Sequence, residues 1–380
     1  MTTFSFRQKG INTMSYDTRD SMSKSKAKPF VSICTPTFNR RPFIPIMFEC
    51  FKNQTYPKHR MEWIIVDDGT DKINDLVASS NIEQIKYIPL DKKLSLGEKR
   101  NLMHTYAKGS MIVYMDDDDY YPPERVAHAV ETLQANPQAM CAGSSEMYIY
   151  FKHIHQMYQS GPFGPNHATA ATFAFRTELL KNTGYINSAA LAEERAFLKD
   201  YTIPFVQLDP MKTILVFSHN HNSFDKRKLL EHGDSPVLKK SPKSVELFIR
   251  QSKEKKIFDF FMKDIDALLD VYEPGDPKHK PDVILQMAEI DKKRKETNEG
   301  AVIMLQQPGK EPQSLGPQEV ANLLQKQQEY ITQLTASLKN METINQLLQE
   351  RNIALERKLA ECNKHPETIF EIKPKSDPEF

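Results

Sequence analysis

The sequence predicts an α/β fold with a mostly parallel sheet, followed by a helical segment and a C-terminal coiled coil. Three observations lead to this prediction. Short apolar runs alternate with amphipathic helical stripes from Pro29 to about His232, the pattern of strand–helix–strand units. Residues 237–300 are charged and helical in pattern. From Val320 to Cys362 the apolar period becomes 3.5 residues, which is typical of a coiled coil.

The first part of the chain contains the predicted sheet and its crossover helices. Four apolar runs are predicted to be strands: Phe30–Cys34, Trp63–Val66, Ile85–Ile88 and Met111–Met115. Three stretches between or after them are predicted helices: Asn39–Asn53, Gly97 to about Ala107, and Pro123–Asn136. Strands that alternate with helices favour a parallel sheet, because parallel neighbours need crossover connections.

The C-terminal heptads predict self-association. Ten of the thirteen core positions are apolar, and the polar exceptions are Gln327, Asn345 and Asn352. Such polar core residues can fix the register and the number of strands. The alternative is a single amphipathic helix lying on the rest of the chain, but a stripe of this length favours a homo-oligomer of two or three strands.

The composition shifts divide the chain into six segments. The predicted order is a disordered tail (1–28), the α/β domain (29–235), a helical extension (236–298), a linker (299–317), the coiled coil (318–363) and a second disordered tail (364–380).

Composition also limits the cellular setting. Fifty-one basic and fifty acidic residues nearly cancel, so no nucleic-acid partner is expected. The cysteines Cys34, Cys50, Cys141 and Cys362 form no CxxC pair, which favours a reducing compartment. No secretory h-region and no run near the ~20 apolar residues of a spanning helix is present. A cytoplasmic protein without a transmembrane segment is the expectation.

Four consecutive aspartates, Asp116 to Asp119, follow the apolar run Met111–Met115. A solvated acidic turn is the plain alternative. At the end of a buried strand, however, repelling carboxylates favour a bound cation, and oxygen ligands suit Mg²⁺ or Mn²⁺. If the strand continued through the run, Asp116 and Asp118 would share one face and Asp117 would point the other way. Asp119 would then shape the turn or contact a sugar.

Several motifs occur in a fixed order along the chain. They are Pro36-Thr37-Phe38-Asn39-Arg40, Asp67-Asp68-Gly69-Thr70, Lys99-Arg100-Asn101, the aspartate run, and Glu193-Glu194. From residue 29 to about 228, this ordered set resembles the inverting family 2 glycosyltransferases of the GT-A fold. Thr70 replaces the family's Ser, and Glu194 replaces its Asp.

The resemblance implies a role for each motif. Donor contacts are implied for Pro36, Thr37, Asn39, Arg40, Asp67, Asp68, Arg100, Asp116, Asp117 and Asp119. Within that set, Asp68 would contact the nucleotide base, Asp67 would support the turn, and Arg100 would contact the diphosphate. The implied metal ligands for Mn²⁺ or Mg²⁺ are Asp118, Asp116 and His219. For His219 a hydrogen-bonded loop histidine is the alternative.

An inverting transfer needs a general base that takes a proton from the attacking hydroxyl. Glu194 is the predicted base, with Glu193 beside it. A charged helix start is the alternative reading of this pair.

The predicted function is therefore metal-dependent sugar transfer from a nucleotide-diphosphate donor, with a UDP-sugar expected. The transferred group is expected to be a hexosyl or N-acetylhexosaminyl group. The acceptor is an unidentified hydroxyl on a glycan, a protein or a lipid-linked molecule. A nucleotidyltransferase and a non-catalytic sugar-nucleotide binder on a coiled-coil scaffold remain the alternatives.

Overall fold

The computed structural model describes residues 28–191, 194–231, 237–300, 303–306 and 311–364. The chain forms two compact units, Met1–Ala288 and Glu289–Phe380. Apart from residues 28 and 364, the predicted tails lie outside the described residues. No helix in the described ranges combines the length and the apolarity that crossing a membrane requires.

The first unit begins with four strands and four helices in alternation. The strands are β1 (Val31–Thr37), β2 (Met61–Asp67), β3 (Ile85–Pro89) and β4 (Met111–Tyr114). The helices are α1 (Ile44–Asn53), α2 (Asn74–Ser79), α3 (Leu96–Tyr106) and α4 (Arg125–Ala135). These four strands are mutually parallel in the order β3-β2-β1-β4, which confirms the predicted fold class.

The sheet then becomes mixed. It is completed by β5 (Cys141–Gly143), β8 (Ala174–Arg176) and β9 (Phe205–Gln207). Strand β8 is antiparallel to both β4 and β5, and β9 is parallel to β5, giving the order β3-β2-β1-β4-β8-β5-β9. A second sheet, absent from the sequence prediction, has the order β10-β6-β7-β11. Its strands are β6 (Met147–Phe151), β7 (Gln156–Ser160), β10 (Leu215–Ser218) and β11 (Leu238–Lys240).

Strand β1 extends three residues beyond its apolar run. Residues Val31–Cys34 pair with β4, whereas Thr35, Pro36 and Thr37 pair only with β2. Proline has no N–H to donate, so it suits a position where the strand has one neighbour instead of two. The open side of β1 at Pro36 is where the functional site begins.

Alternating side chains on the parallel strands fill two apolar cores. Trp63 faces the α1 side, where it stacks on Phe51 with ring centroids 4.6 Å apart. Its neighbour Ile64 faces the opposite core, together with Met103 of α3. Strands buried on both faces need continuous apolar runs, which is why the sequence revealed them.

The rest of the described chain is mainly helical. The first unit includes α5 (Glu194–Phe197), α6 (Lys255–Asp259) and α7 (Ile265–Asp270), with a π-helical turn at Phe260–Asp264. Helix α8 spans Pro281–Gly300. Within the predicted linker, β12 (Ile303–Leu305) and β13 (Gln313–Leu315) pair as an antiparallel hairpin. Helix α9 runs unbroken for 48 residues, Pro317–Lys364.

Candidate functional site

The carboxyl ends of β1 and β4 open onto a cleft of about 730 Å³, including its mouth. Pro36, Arg40 and Arg100 line it, together with Asp116, Asp117 and Asp118. Open α/β sheets bind ligands at the carboxyl ends of their strands, which is where this cleft lies.

Asp67 shapes the turn after β2. Its Oδ1 accepts a hydrogen bond from the Gly69 N–H (2.9 Å), and its Oδ2 accepts from the Ile73 N–H (3.2 Å) and the Tyr87 hydroxyl (2.6 Å). A side chain cannot be added at Gly69, because its Cβ would lie 2.5 Å from Oδ1 of Asn39. Asp67 thus has the turn-supporting geometry that the resemblance implies.

Asp68 is committed to a buried ion pair. Its Oδ1 contacts the ammonium of Lys99, and its Oδ2 accepts a hydrogen bond from the Leu94 N–H at 2.7 Å. Lys99 also donates to the backbone oxygen of Thr37 at 3.1 Å. Burial lowers the pKa of Lys99, and the charge of Asp68 opposes that shift. Asp68 and Thr37 therefore support the edge of the cleft, and a base contact by Asp68 stays a prediction.

Asn39 holds two motif loops together. Its backbone is left-handed (φ 52°), and its Oδ1 accepts hydrogen bonds from the Thr70 N–H (2.8 Å) and the Asp71 N–H (3.0 Å). Its Nδ2 donates to the backbone oxygen of Pro274 at 2.9 Å. Asn39 thus connects these loops through hydrogen bonds, while the neighbouring Phe38 lines the cleft.

The aspartate run is not a continuation of β4. The strand ends at Tyr114, so the alternation expected from a regular strand is wrong beyond that point. Asp116, Asp117 and Asp118 all line the cleft. The backbone leaves the sheet here because the Asp116 N–H donates to the Tyr121 hydroxyl at 2.7 Å instead of pairing with a strand.

Two arginines balance these carboxylates. Arg40, which is 3% exposed, lies 3.6 Å from Asp117 through Nε and 3.3 Å from Asp118 through Nη2. Arg100 Nη2 lies 3.9 Å from Asp116 Oδ1, and its guanidinium carbon lies 4.4 Å from the Tyr114 ring centroid. Cations held this close make the cleft able to accept an anionic ligand.

The carboxylates differ in their proton affinity. Burial raises the pKa of Asp117 to about 7, although Arg40 opposes the shift. Burial also acts to raise the pKa of Asp118, but Arg40 and His219 outweigh it and hold that pKa well below its usual range. Burial and the charge of Asp118 raise the pKa of Asp119 well above its usual range. Of Asp117, Asp118 and Asp119, Asp118 is therefore the one whose ionised form is favoured.

His219 lies beside Asp118, with Nε2 3.6 Å from Oδ2. Burial lowers its pKa to about 4, so the ring is neutral at pH 7. The His221 N–H donates to Nδ1 at 3.2 Å, and Nε2, which faces Asp118, also lies 2.8 Å from the side-chain nitrogen of Asn222. A metal ligand must be a neutral imidazole, and the lowered pKa of His219 meets that condition.

The donor set fits a hard divalent cation in part. Asp116 and Asp118 offer carboxylate oxygens to the cleft, and His219 offers a neutral ring. Within the described residues, no group of three or more His, Cys, Asp or Glu side chains is placed to hold a metal alone. Phosphate oxygens and water would have to complete the coordination, as is usual for Mg²⁺.

The predicted base follows a cleft-lining residue closely in the sequence. Glu194 is the first residue of α5 and is partly buried. Three residues earlier, Leu191 lines the cleft. Glu193, the other half of the predicted pair, lies outside the described residues. Whether Glu194 acts as a base stays a prediction.

Several cleft residues escaped the sequence prediction, among them Lys93, Lys280, Asp282 and Val283. The last three belong to the helical extension. They lie more than 160 positions beyond the aspartate run and carry no motif, so no local signal pointed to them.

The α/β sheet with a charged cleft at its strand ends is the arrangement in which open α/β domains bind ligands. Residues 32–198 match the family model described as Glycosyl transferase family 2, slightly less than half of the chain. This match confirms the resemblance drawn from the motifs.

Individual relatives match over shorter stretches. The chain is 30% identical over 127 residues to an uncharacterized glycosyltransferase of Haemophilus influenzae, covering 32% of this chain and 42% of that protein. It is 28% identical over 124 residues to the putative teichuronic acid biosynthesis glycosyltransferase TuaG of Bacillus subtilis, covering 32% and 47%. The chain thus spans less than half the length of these curated relatives.

Among solved structures, the chain is similar to residues 1–349 of S. aureus TarS in complex with UDP-GlcNAc. The identity is 21%, the TM-score is 0.40, and the match covers 49% of this chain and 58% of that one.

Proposed function

We propose that this protein is an inverting glycosyltransferase that moves a sugar from a nucleotide-diphosphate donor, UDP-linked, to a hydroxyl acceptor. The observation that carries the proposal is the cleft at the strand ends, where Arg40 and Arg100 face three aspartates. A diphosphate carries several negative charges, and a divalent cation held by the cleft carboxylates would complete the balance.

The divalent cation, Mn²⁺ or Mg²⁺, would be held by Asp118 and His219, with Asp116 acting nearby through water. When bound, the cation neutralises the charge that develops on the leaving nucleoside diphosphate. Arg100, the fifth residue of α3, would support the same charge through its guanidinium.

Glu194 is the proposed catalytic residue on the acceptor side. As a general base it would take the proton from the attacking hydroxyl while the sugar–phosphate bond breaks. Its position at the first residue of a short helix, close in sequence to cleft-lining Leu191, supports this role. The sugar leaves the diphosphate with inversion, and no covalent enzyme intermediate is needed.

Helix α9 would join copies of the chain. The apolar heptad side chains from Leu324 to Leu359 are more than half exposed in the single chain. An apolar stripe that long is costly to leave in water, so we propose a parallel or antiparallel homo-oligomer through α9.

A panel of nucleotide sugars tests the proposed activity. With Mn²⁺ present, one UDP-sugar is expected to raise the melting temperature and to release UDP during transfer. Release of pyrophosphate would instead indicate a nucleotidyltransferase. If no nucleotide sugar binds or turns over, the proposal fails.

Two variants with matched controls assign the roles. Asp118→Asn is expected to abolish both Mn²⁺-dependent donor binding and transfer, whereas exposed Asp91→Asn leaves both unchanged. Glu194→Gln is expected to keep donor binding and lose transfer by about 10²–10⁴-fold, as removal of a general base does. Exposed Glu178→Gln is its control. Full transfer by Glu194→Gln would exclude it as the base.

A further inference from the structure

The helical extension reaches back over the cleft. Its segment Tyr272–Gln286 lies far outside the family-matched residues 32–198, yet Lys280, Asp282 and Val283 line the same cavity as the aspartates. Contacts on several sides fix the segment there. They join Tyr272 to Asp71, Pro274 to Asn39, Asp282 to Lys93, and Gln286 to Ala190.

The packing at one point of this segment is tight. A Cβ on Gly275 would lie 2.6 Å from His221 Nδ1 and 3.0 Å from the Asn39 backbone oxygen. The extension thus contacts both the first motif and the loop that carries the histidines. It is part of the wall of the cleft.

Lys280 is the unusual residue of this wall. Only 9% of it is exposed, and its Nζ donates a hydrogen bond to the Ser223 hydroxyl at 2.7 Å. No carboxylate in the described part of the chain lies within ion-pairing distance of it. Its hydrogen-bond partner is thus neutral. Burial and the charge of Arg40 lower the pKa of Lys280 to about 7, and the more distant charges of Asp117 and Asp118 oppose that shift.

The other cations of the cleft are already paired. Arg40 is next to Asp117 and Asp118, Lys93 to Asp282, Lys99 to Asp68, and Arg100 to Asp116. Among these five cleft cations, Lys280 is the one without a carboxylate at ion-pairing distance.

We propose that Lys280 binds the diphosphate of the nucleotide donor, which makes the helical extension a part of the donor site. This inference rests on the proposed function, since it specifies how the same cleft holds its ligand. An ammonium-to-phosphate hydrogen bond is charge-assisted, and the phosphate would give the buried Lys280 an anionic hydrogen-bond partner. Ser223 positions the ammonium for that contact.

Calorimetry on the full chain with Mn²⁺ tests the inference, using UDP and uridine as probes. Lys280→Met is expected to weaken UDP binding by about tenfold or more, the usual loss for a hydrogen bond to a charged group. Uridine has no phosphate, so its binding is expected to stay unchanged. Lys278→Met is the matched control, because Lys278 is exposed, is paired with Glu273 and lines no part of the cleft.

The outcomes separate the two proposals. If wild type binds neither UDP nor another nucleoside diphosphate, the proposed function fails and this inference with it. If wild type binds UDP and Lys280→Met binds it equally well, the role of Lys280 alone is refuted. Equal losses for UDP and uridine would refute it too, because they would indicate a general change in the cleft. Should Lys280→Met fold poorly, Lys280→Gln decides, since it keeps a donor for Ser223 and lacks the charge.

Discussion

Arg40 donates a hydrogen bond from Nη2 to Oδ2 of Asp118 at 3.3 Å, inside a cleft where the arginine is almost fully buried. The guanidinium therefore lies against the carboxylate that we assign to the divalent cation. Arg40 neutralises Asp118 when no cation is bound, and the cation would have to share that carboxylate with it.

This relationship predicts a metal-dependent stability in the Arg40→Met variant. Without a divalent cation, the variant is expected to lose about 3 kcal/mol, because two close carboxylates lose their buried partner. Mn²⁺ is expected to restore much of that loss, so the rise in melting temperature on adding Mn²⁺ should exceed that of wild type. The measurement is thermal unfolding with Mn²⁺ and with a chelator.

Arg41→Met is the control for that variant. Arg41 pairs with Asp71 and Asp75 outside the cleft, so its loss is expected to leave the Mn²⁺ effect unchanged. An Mn²⁺ effect in Arg40→Met no larger than in wild type would contradict competition for Asp118.

The Lys99–Asp68 pair predicts strong non-additivity. Lys99→Met leaves a carboxylate with no exposed side-chain surface and no counter-charge, and a loss of about 3–5 kcal/mol is expected. The double variant Lys99→Met/Asp68→Asn is expected to recover part of that loss, since it removes the unpaired charge. Urea unfolding of the wild type, both single variants and the double variant gives the coupling energy.

Lys93→Met provides the matched control for the buried pair. The Lys93–Asp282 pair is more exposed, at 28% and 32% of the side chains, so a loss below about 1 kcal/mol is expected. Equal losses at Lys93 and Lys99 would show that burial does not set the strength of these pairs.

Much of this site was predictable because its parts lie at the ends of buried parallel strands. The apolar runs of β1, β2 and β4 identified the sheet, and the polar residues that follow them meet at one edge. The alternation rule failed at Asp117 because β4 stops at Tyr114, and the sequence does not mark where a strand leaves its sheet. The three-residue strands β5, β8 and β9 are too short to show a period.

The place of Lys280 in the cleft could not be predicted from the sequence for a different reason. Nothing in the charged, helical pattern of residues 237–300 distinguishes this lysine from its exposed neighbour Lys278. Its burial comes from contacts with Phe38 and Ser223, which are 242 and 57 positions away in the sequence. Pairings that distant depend on the complete fold.

His104 predicts that the fold is sensitive to acid. Its Nε2 lies 2.6 Å from the Tyr114 hydroxyl, and burial lowers its pKa from 6.5 to about 3, with Arg100 adding to the shift. Below pH 6.5 His104 binds a proton in the unfolded chain but stays neutral in the folded chain. The free energy of unfolding should therefore fall as the pH decreases from 6.5 towards 3, by at most about 1.4 kcal/mol per pH unit from this group.

The variant His104→Gln cannot titrate and still reaches the Tyr114 hydroxyl. Its stability is expected to depend less steeply on pH between 6.5 and 4 than that of wild type, with the difference vanishing above pH 7. Urea unfolding at half-unit pH steps measures both slopes. Parallel slopes in the two proteins would show that His104 is protonated in the folded state.

Self-association through α9 can be tested by placing the same substitution at two adjacent positions, one on the heptad stripe and one beside it. Leu338 lies on the heptad stripe and is 58% exposed in the single chain, whereas Lys339 lies next to it and off the stripe. Leu338→Asp places a charge in every copy of the core at the same layer, so repulsion and desolvation are expected to shift the oligomer to monomer. Lys339→Asp changes the charge of the same helix by a larger amount and is expected to leave the oligomer intact.

Light scattering after size-exclusion chromatography gives the mass of each variant. A wild-type chain that is monomeric at tens of micromolar, or a Lys339→Asp variant that dissociates as readily as Leu338→Asp, would show that the stripe is not the interface.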